Sequence, residues 1–142
     1  MALADVHEGL IGETDLCFTD RLDWEGIDVL FFCMGHGRSA QFLAEHDVPP
    51  TMRIVDLAQD FRLSAPGNDY VYGLPELQRD KIRGARHVAN PGCFATAIQL
   101  ALLPLAAAGR LSGNVVVNAI TGSTGAGVKP PLPRTFRGVR TT

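Results

Sequence analysis

Cys93 is the residue whose type and setting in this sequence could do chemistry. It follows Asn90-Pro91-Gly92 and opens an apolar run, Phe94–Ala108, rich in Ala and Leu. Asn-Pro and Pro-Gly pairs interrupt regular structure. The pattern therefore predicts a short strand at His87–Ala89, a tight turn, and a helix whose start holds the cysteine. Unpaired amide N–H groups at a helix start carry roughly half a positive charge. Such a field favours the thiolate, which is the nucleophilic form. A small buried apolar side chain is the other role a free cysteine takes, and these residues alone leave both roles open.

Three further groups are of the kind that hold ligands. Gly35-His36-Gly37 ends an apolar run and, with Ala40, fits the G-x-G-x-x-G/A pattern, with Asp56 about 20 residues on where a ribose-binding acid belongs. Arg62 stands in the polar stretch Gln59–Gly67; its fork matches phosphate or carboxylate, and a solvated loop arginine fits the same pattern. Thr121–Gly127 is rich in glycine and small residues, including Gly122, Ser123, Gly125 and Ala126, so backbone there can approach a ligand closely.

These groups need elements to carry them. Val29–Cys33, within Asp28–Met34, reads as a strand covered on both faces of a parallel sheet. A helix over Ser39–His46 follows, with Phe42 and Leu43 facing inward, and Pro49-Pro50 ends it. The next strand is Met52–Leu57. Strand, helix and strand in this order predict a parallel crossover of the Rossmann type. Tyr70–Leu77 carries a Gly-Leu-Pro turn that covers the site or packs on it, and Leu77–Gly84 is at most a short polar helix. The helix after Cys93 is apolar on nearly every face and is expected to be buried. Pro104 should kink it or start a new turn, and Gly109 should stop it. Asn114–Ile120 reads as another apolar strand. Leu16–Thr19 fits a short strand and His7–Gly9 a loop, while Cys17 and Cys33 are expected in strands or core.

The 142 residues make one ordinary domain or pieces of two. With 46% hydrophobic residues and a formal charge of −2, the chain can bury a core and shows no basic footprint for nucleic acid or membrane. Ala97–Ala108 contains Gln99 and Pro104 and is too short to span a bilayer. MALADVHEGL carries acids early and no basic stretch, unlike a signal peptide. The three cysteines lack the paired spacing of a disulfide framework or zinc site, so no metal is expected. A reducing cytosol fits this usage.

ANPGCFATA at Ala89–Ala97, continued by LALLPLAAAG at Leu100–Gly109, resembles the active-site segment of the N-acetyl-γ-glutamyl-phosphate reductases, within the aspartate-semialdehyde dehydrogenase-like enzymes. GHG at Gly35–Gly37, IVDLAQDFRL at Ile54–Leu63 and YGLPEL at Tyr72–Leu77 agree in order and spacing. TGSTGAG at Thr121–Gly127 resembles the family's Ser-Gly-x-Ser-Gly-Ala-Gly loop, with Thr at both Ser positions. The resemblance runs from about His7 to about Pro131. It implies an α/β chain: residues 1–89 as the C-terminal part of an NAD(P)-binding domain with a partial Rossmann-type sheet, and 90–142 as the start of the catalytic and dimerisation domain. Residues 132–142 depart from the family's continuation, as a truncated or frame-shifted reading frame would.

The resemblance also implies a reaction: reduction of an N-acyl-γ-glutamyl phosphate by NADPH to the semialdehyde, in arginine biosynthesis. Cys93 is then the nucleophile, and Gly35, His36, Gly37, Asn90, Gly122, Ser123, Gly125 and Ala126 lie on the cofactor side. Arg62 meets the substrate's anionic group, and the full-length protein is a homo-oligomer. The family aligns Gly35–Gly37 with a later crossover, placing its own phosphate loop before Met1. Its acid/base histidine lies well downstream of the cysteine, and none of His7, His36, His46 or His87 matches it, so this polypeptide alone is expected to have little reductase activity. Two other readings stand beside this one: a reductase of aminoadipyl or aspartyl phosphate, and a non-catalytic α/β piece that binds a nucleotide or a partner chain.

Overall fold

The computed structural model describes residues 1–122 and residue 125. Ser123, Ala126 and the tail 132–142 lie outside the described residues. The chain divides into two compact units, Met1–Thr96 and a second beginning at Ala97.

The first unit starts with a short helix, α1 (Leu3–Val6), and a single 3-10 turn at Glu8–Leu10. It then builds a four-stranded, all-parallel sheet from β1 (Val29–Phe32), β2 (Arg53–Asp56), β3 (Val71–Tyr72) and β4 (His87–Ala89). The spatial order is β1-β2-β4-β3. Helix α2 (Arg38–Glu45) connects β1 to β2, and α3 (Pro75–Gly84) connects β3 to β4. Register pairs Phe32 with Asp56, Asp56 with Ala89 and Tyr72 with Ala89, so all four strand ends finish level with one another. This is the α/β, Rossmann-type parallel sheet expected from the strand–helix–strand order.

The core is small: Phe32, Met52 and Ile54 are buried, with Trp24, Leu30, Phe42, Leu43, Val48 and Tyr70 packed against them. Phe42 of α2 meets Phe32 edge-on at 5.3 Å between ring centroids, so α2 lies on the Leu30/Phe32 face of β1 as its apolar pair predicts. The other face of β1 differs from expectation. Val29 and Phe31 point away from α2 and stay exposed, because no described element covers that side. Cys17 and Cys33 are also exposed, not core. Cys33 falls one residue past β1, where the chain leaves the sheet, and Cys17 makes an isolated antiparallel bridge with Ala2.

Helix α4 (Cys93–Ala107) passes through Pro104 as one continuous element. Gly109 ends it with φ of 65°. Its N–H donates to the Ala106 carbonyl at 3.0 Å and that of Arg110 to Leu105 at 2.9 Å, the paired bonds of a Schellman cap. None of α4 is buried; Leu100 and Leu105 are exposed although the helix is apolar throughout. The expected strand at Asn114–Ile120 is not formed. Val116 and Ile120 are exposed, and no described segment pairs with this stretch. An apolar run becomes a strand only with a neighbour to complete its ladder and cover its face. No described helix is long and apolar enough to cross a membrane.

Candidate functional site

The carboxyl ends of β1, β2 and β4 deliver three loops, the end of an open parallel sheet where ligands bind. The first is Gly35-His36-Gly37. Gly37 has φ of 82° and caps α2 from the left-handed region that glycine enters freely. The second is the stretch Leu57–Leu63, and the third is the Asn90-Pro91-Gly92 turn before Cys93.

The second loop ties the other two together. The Asp60 carboxylate accepts from the Gly37 N–H at 2.6 Å through Oδ1, and from the Ser39 and Ala40 N–H groups at 3.1 and 3.2 Å through Oδ2. Those are the amides with which a G-x-G-x-x-A loop would hold a dinucleotide's diphosphate. A protein carboxylate already occupies them, so the site does not fit a diphosphate. Asp56, which the same pattern casts as the ribose acid, is fully buried. It accepts from the Ser39 hydroxyl at 2.7 Å and the Ala58 N–H at 3.0 Å. It holds the loop and is closed to a ribose. His36 is exposed and accepts the Gln59 N–H through Nδ1 at 3.1 Å.

Arg62 reaches the third loop. Its Nε donates to the Asn90 carbonyl and its Nη2 to the Leu57 carbonyl, both at 2.8 Å. Nη1 lies so close to Gly92 that a Cβ there would meet it at 3.0 Å. Arg62 also lines an open cleft of about 580 Å³ with Gly37, Gln59, Asp60 and Leu63. Beyond the turn, the Thr96 N–H and hydroxyl both bond the Gly92 carbonyl, at 2.9 and 3.0 Å, and so start the first turn of α4. Cys93 stands at that start, as the strand–turn–helix pattern predicts, and its side chain is exposed.

Of the residues picked out from the sequence, the structure brings Gly37 and Arg62 to one cleft and joins Arg62 to Asn90. Cys93 is two residues beyond the Asn90–Pro91 pair. Gly122 and Gly125 are exposed in the second unit. Among the described residues no three His, Cys, Asp or Glu side chains form a group able to hold a metal. No local sequence signal marks Asp60 or the Ser39–Asp56 pair as organisers of the site. Their partners lie 17 to 23 residues apart in sequence, beyond the reach of any local capping signal.

This fold and these loops define a class. Residues 1–85 match the profile of the semialdehyde dehydrogenase NAD-binding domain and residues 93–141 that of the semialdehyde dehydrogenase dimerisation domain. The chain belongs to the semialdehyde dehydrogenase family. Within it, the chain is 59% identical over 128 residues to a protein of Bacteroides fragilis, and 60% over 128 residues to one of Bacteroides thetaiotaomicron. It is 48% identical over 130 residues to a protein of Flavobacterium johnsoniae. All three are named N-acetyl-gamma-glutamyl-phosphate reductase. The matches cover 90%, 90% and 89% of this chain and 40% of each relative, so the chain spans about two-fifths of the length of the relatives it matches.

Proposed function

We propose that this chain supplies the nucleophile and part of the cofactor-side wall of an NADPH-dependent N-acyl-γ-glutamyl-phosphate reductase, an enzyme of arginine biosynthesis that works as a homo-oligomer. In this reading residues 1–89 belong to the NAD(P)-binding domain and 90–142 begin the catalytic and dimerisation domain. The observation that carries it is Cys93, exposed at the start of α4 and following the turn whose Asn90 carbonyl Arg62 holds.

The Cys93 sulfur attacks the acyl-phosphate carbon, forming a C–S bond as the C–O bond to phosphate breaks and inorganic phosphate leaves. Amide N–H groups in the first turn of α4 are of the kind that stabilise the oxyanion formed on attack. Arg62 spends Nε and Nη2 on main-chain carbonyls, and Nη1 carries no hydrogen bond among the described residues. That free end suits the substrate's phosphate. Gly35, His36, Gly37 and Asn90 form the loops that would flank a nicotinamide, with Gly122, Ser123, Gly125 and Ala126 supplying the glycine-rich loop. When bound, the nicotinamide supplies hydride to the thioester. Because Asp60 fills the amides of α2, the diphosphate of that cofactor is held elsewhere.

The test is acyl transfer to sulfur, read by mass spectrometry of the intact chain and its peptides. N-acetyl-γ-glutamyl phosphate should leave an acyl adduct on Cys93 that hydroxylamine removes, with equimolar phosphate release. Cys93→Ser should form none. An adduct spread equally over Cys17, Cys33 and Cys93 sinks the assignment, and preference for aspartyl or aminoadipyl phosphate moves it to that substrate.

A further inference from the structure

We propose that Arg62 is a positioning residue that sets the geometry of the nucleophile turn, by holding the carbonyls of Leu57 and Asn90 in one guanidinium fork. The proposal rests on Cys93 being the nucleophile and goes beyond a role for Arg62 in meeting substrate.

The two carbonyls belong to different strand ends. Leu57 leaves β2 and Asn90 leaves β4, and the strands themselves are already level, with Asp56 paired to Ala89. The Asn90 N–H donates to the Asp56 carbonyl at 2.8 Å, the last rung before the chains part. Past that rung the backbone ladder no longer relates the turn to the sheet. Arg62 takes over from there, bonding the next carbonyl on each strand exit at 2.8 Å. A planar guanidinium presents donors at fixed directions, so two acceptors fix its plane and its plane fixes them. Gly92 completes the contact, since a Cβ there would stand only 3.0 Å from Nη1. The Asn90–Pro91 peptide so held opens the turn that leads through Gly92 to Cys93 and the first turn of α4.

A second feature of the same loop strengthens the argument. Asp60, two residues before Arg62, holds the Gly37 loop by its carboxylate. The three residues Asp60–Arg62 thus fix the cofactor-side loop through an anion and the nucleophile turn through a cation.

The experiment is site-resolved alkylation of the full chain with iodoacetamide across a pH series, mapped by mass spectrometry. Cys17, Cys33 and Cys93 are all exposed, so the first two serve as internal references. In the wild type Cys93 should react fastest near neutrality. Arg62→Ala should lower its rate about tenfold, as loss of a held geometry does, with the references unchanged. Arg62→Lys should be equally slow, because an ammonium keeps the charge but lacks the fork. Gly92→Ala approaches the contact from the other side, pushes Nη1 away, and should slow Cys93 as well; it decides the matter if Arg62→Ala unfolds. Arg86→Ala removes a comparable bond, Arg86 Nη1 to the Pro50 carbonyl at 2.7 Å, at the opposite ends of the strands. It should leave the Cys93 rate alone. The proposal is overturned if Arg62→Ala or Gly92→Ala folds and leaves Cys93 at the wild-type rate, if Arg62→Lys restores that rate, or if Arg86→Ala slows Cys93 equally. A wild-type Cys93 no faster than Cys17 and Cys33 removes the nucleophile reading itself, and this one with it.

Discussion

The Asp60 carboxylate receives the Gly37 N–H at 2.6 Å across 23 residues of sequence, and so caps a helix that its own loop does not belong to. A side-chain oxygen at a helix N-terminus contributes about 1 kcal/mol, and up to about 2 where several amides converge on it. Asp60→Ala should lower the unfolding free energy by that amount, measured by urea denaturation, with Asp60→Asn retaining most of it. Because the amides are already satisfied, inorganic phosphate should leave the Gly37, Ser39 and Ala40 amide resonances of the wild type unmoved. A saturable shift at those three amides would mean that the carboxylate yields to an anion.

Ser39 and Asp56 meet inside the crossover, both with no solvent exposure, the hydroxyl donating at 2.7 Å. Removing one partner of a buried bond costs more than the bond is worth, because the other is left without it. Asp56 Oδ2 has no partner to spare among the described residues, so Oδ1 carries all of the carboxylate's bonds. Ser39→Ala should therefore destabilise the chain by about 1–3 kcal/mol. A midpoint within error of wild type in urea would show that the carboxylate finds another donor.

Gly73 lies where the chain leaves β3, with its N–H on the Ala89 carbonyl at 2.8 Å. A Cβ there would sit 2.8 Å from Val88 Cγ1 and 3.1 Å from the Ala89 oxygen. Overpacking of this kind costs about 1–3 kcal/mol. Gly73→Ala should pay that by loosening β3 from β4, so exchange of the Gly73 amide should quicken ahead of amides in β1 and β2. Uniform quickening throughout the sheet would contradict a local clash.

How far the sequence discloses these features follows from the range of the forces involved. The strand at His87–Ala89, the turn, and the helix beginning at Cys93 depend on neighbours in the chain, and all three form as the residues predict. So does the Gly109 stop, whose bonds reach back only a few residues. Arg62 shows where the local signal ends: its charge and loop setting are legible, whereas its hold on Asn90, 28 residues away, needs the sheet to bring the two together. The same limit governs Asn114–Ile120 and α4. Apolar composition says that a surface wants covering, and it does not say what covers it. In this chain that surface, with Val116 and Ile120, stays open.

Tyr70 supplies a pH dependence whose sign can be worked out. Its ring stacks between Phe61 at 4.2 Å and His87 at 5.0 Å, and its hydroxyl is buried with no partner among the described residues. Burial pushes the phenol's pKa well above its ordinary 10.0, and the nearby negative charges of Asp56 and Asp69 push the same way. The folded state therefore keeps a proton that the unfolded chain begins to lose near pH 10. Below that pH both states hold the proton and stability does not change on its account. Above it the unfolded state binds fewer protons, so stability falls as the pH rises. Urea midpoints measured from pH 9 to about pH 11 should decline in the wild type, and the decline should be shallower in Tyr70→Phe, which has no proton to lose there. Near neutrality the same substitution removes a buried hydroxyl that has no bond to lose, so it should cost well under about 1 kcal/mol. Parallel declines for the two proteins would mean that the phenol ionises in the folded state as freely as in the unfolded one.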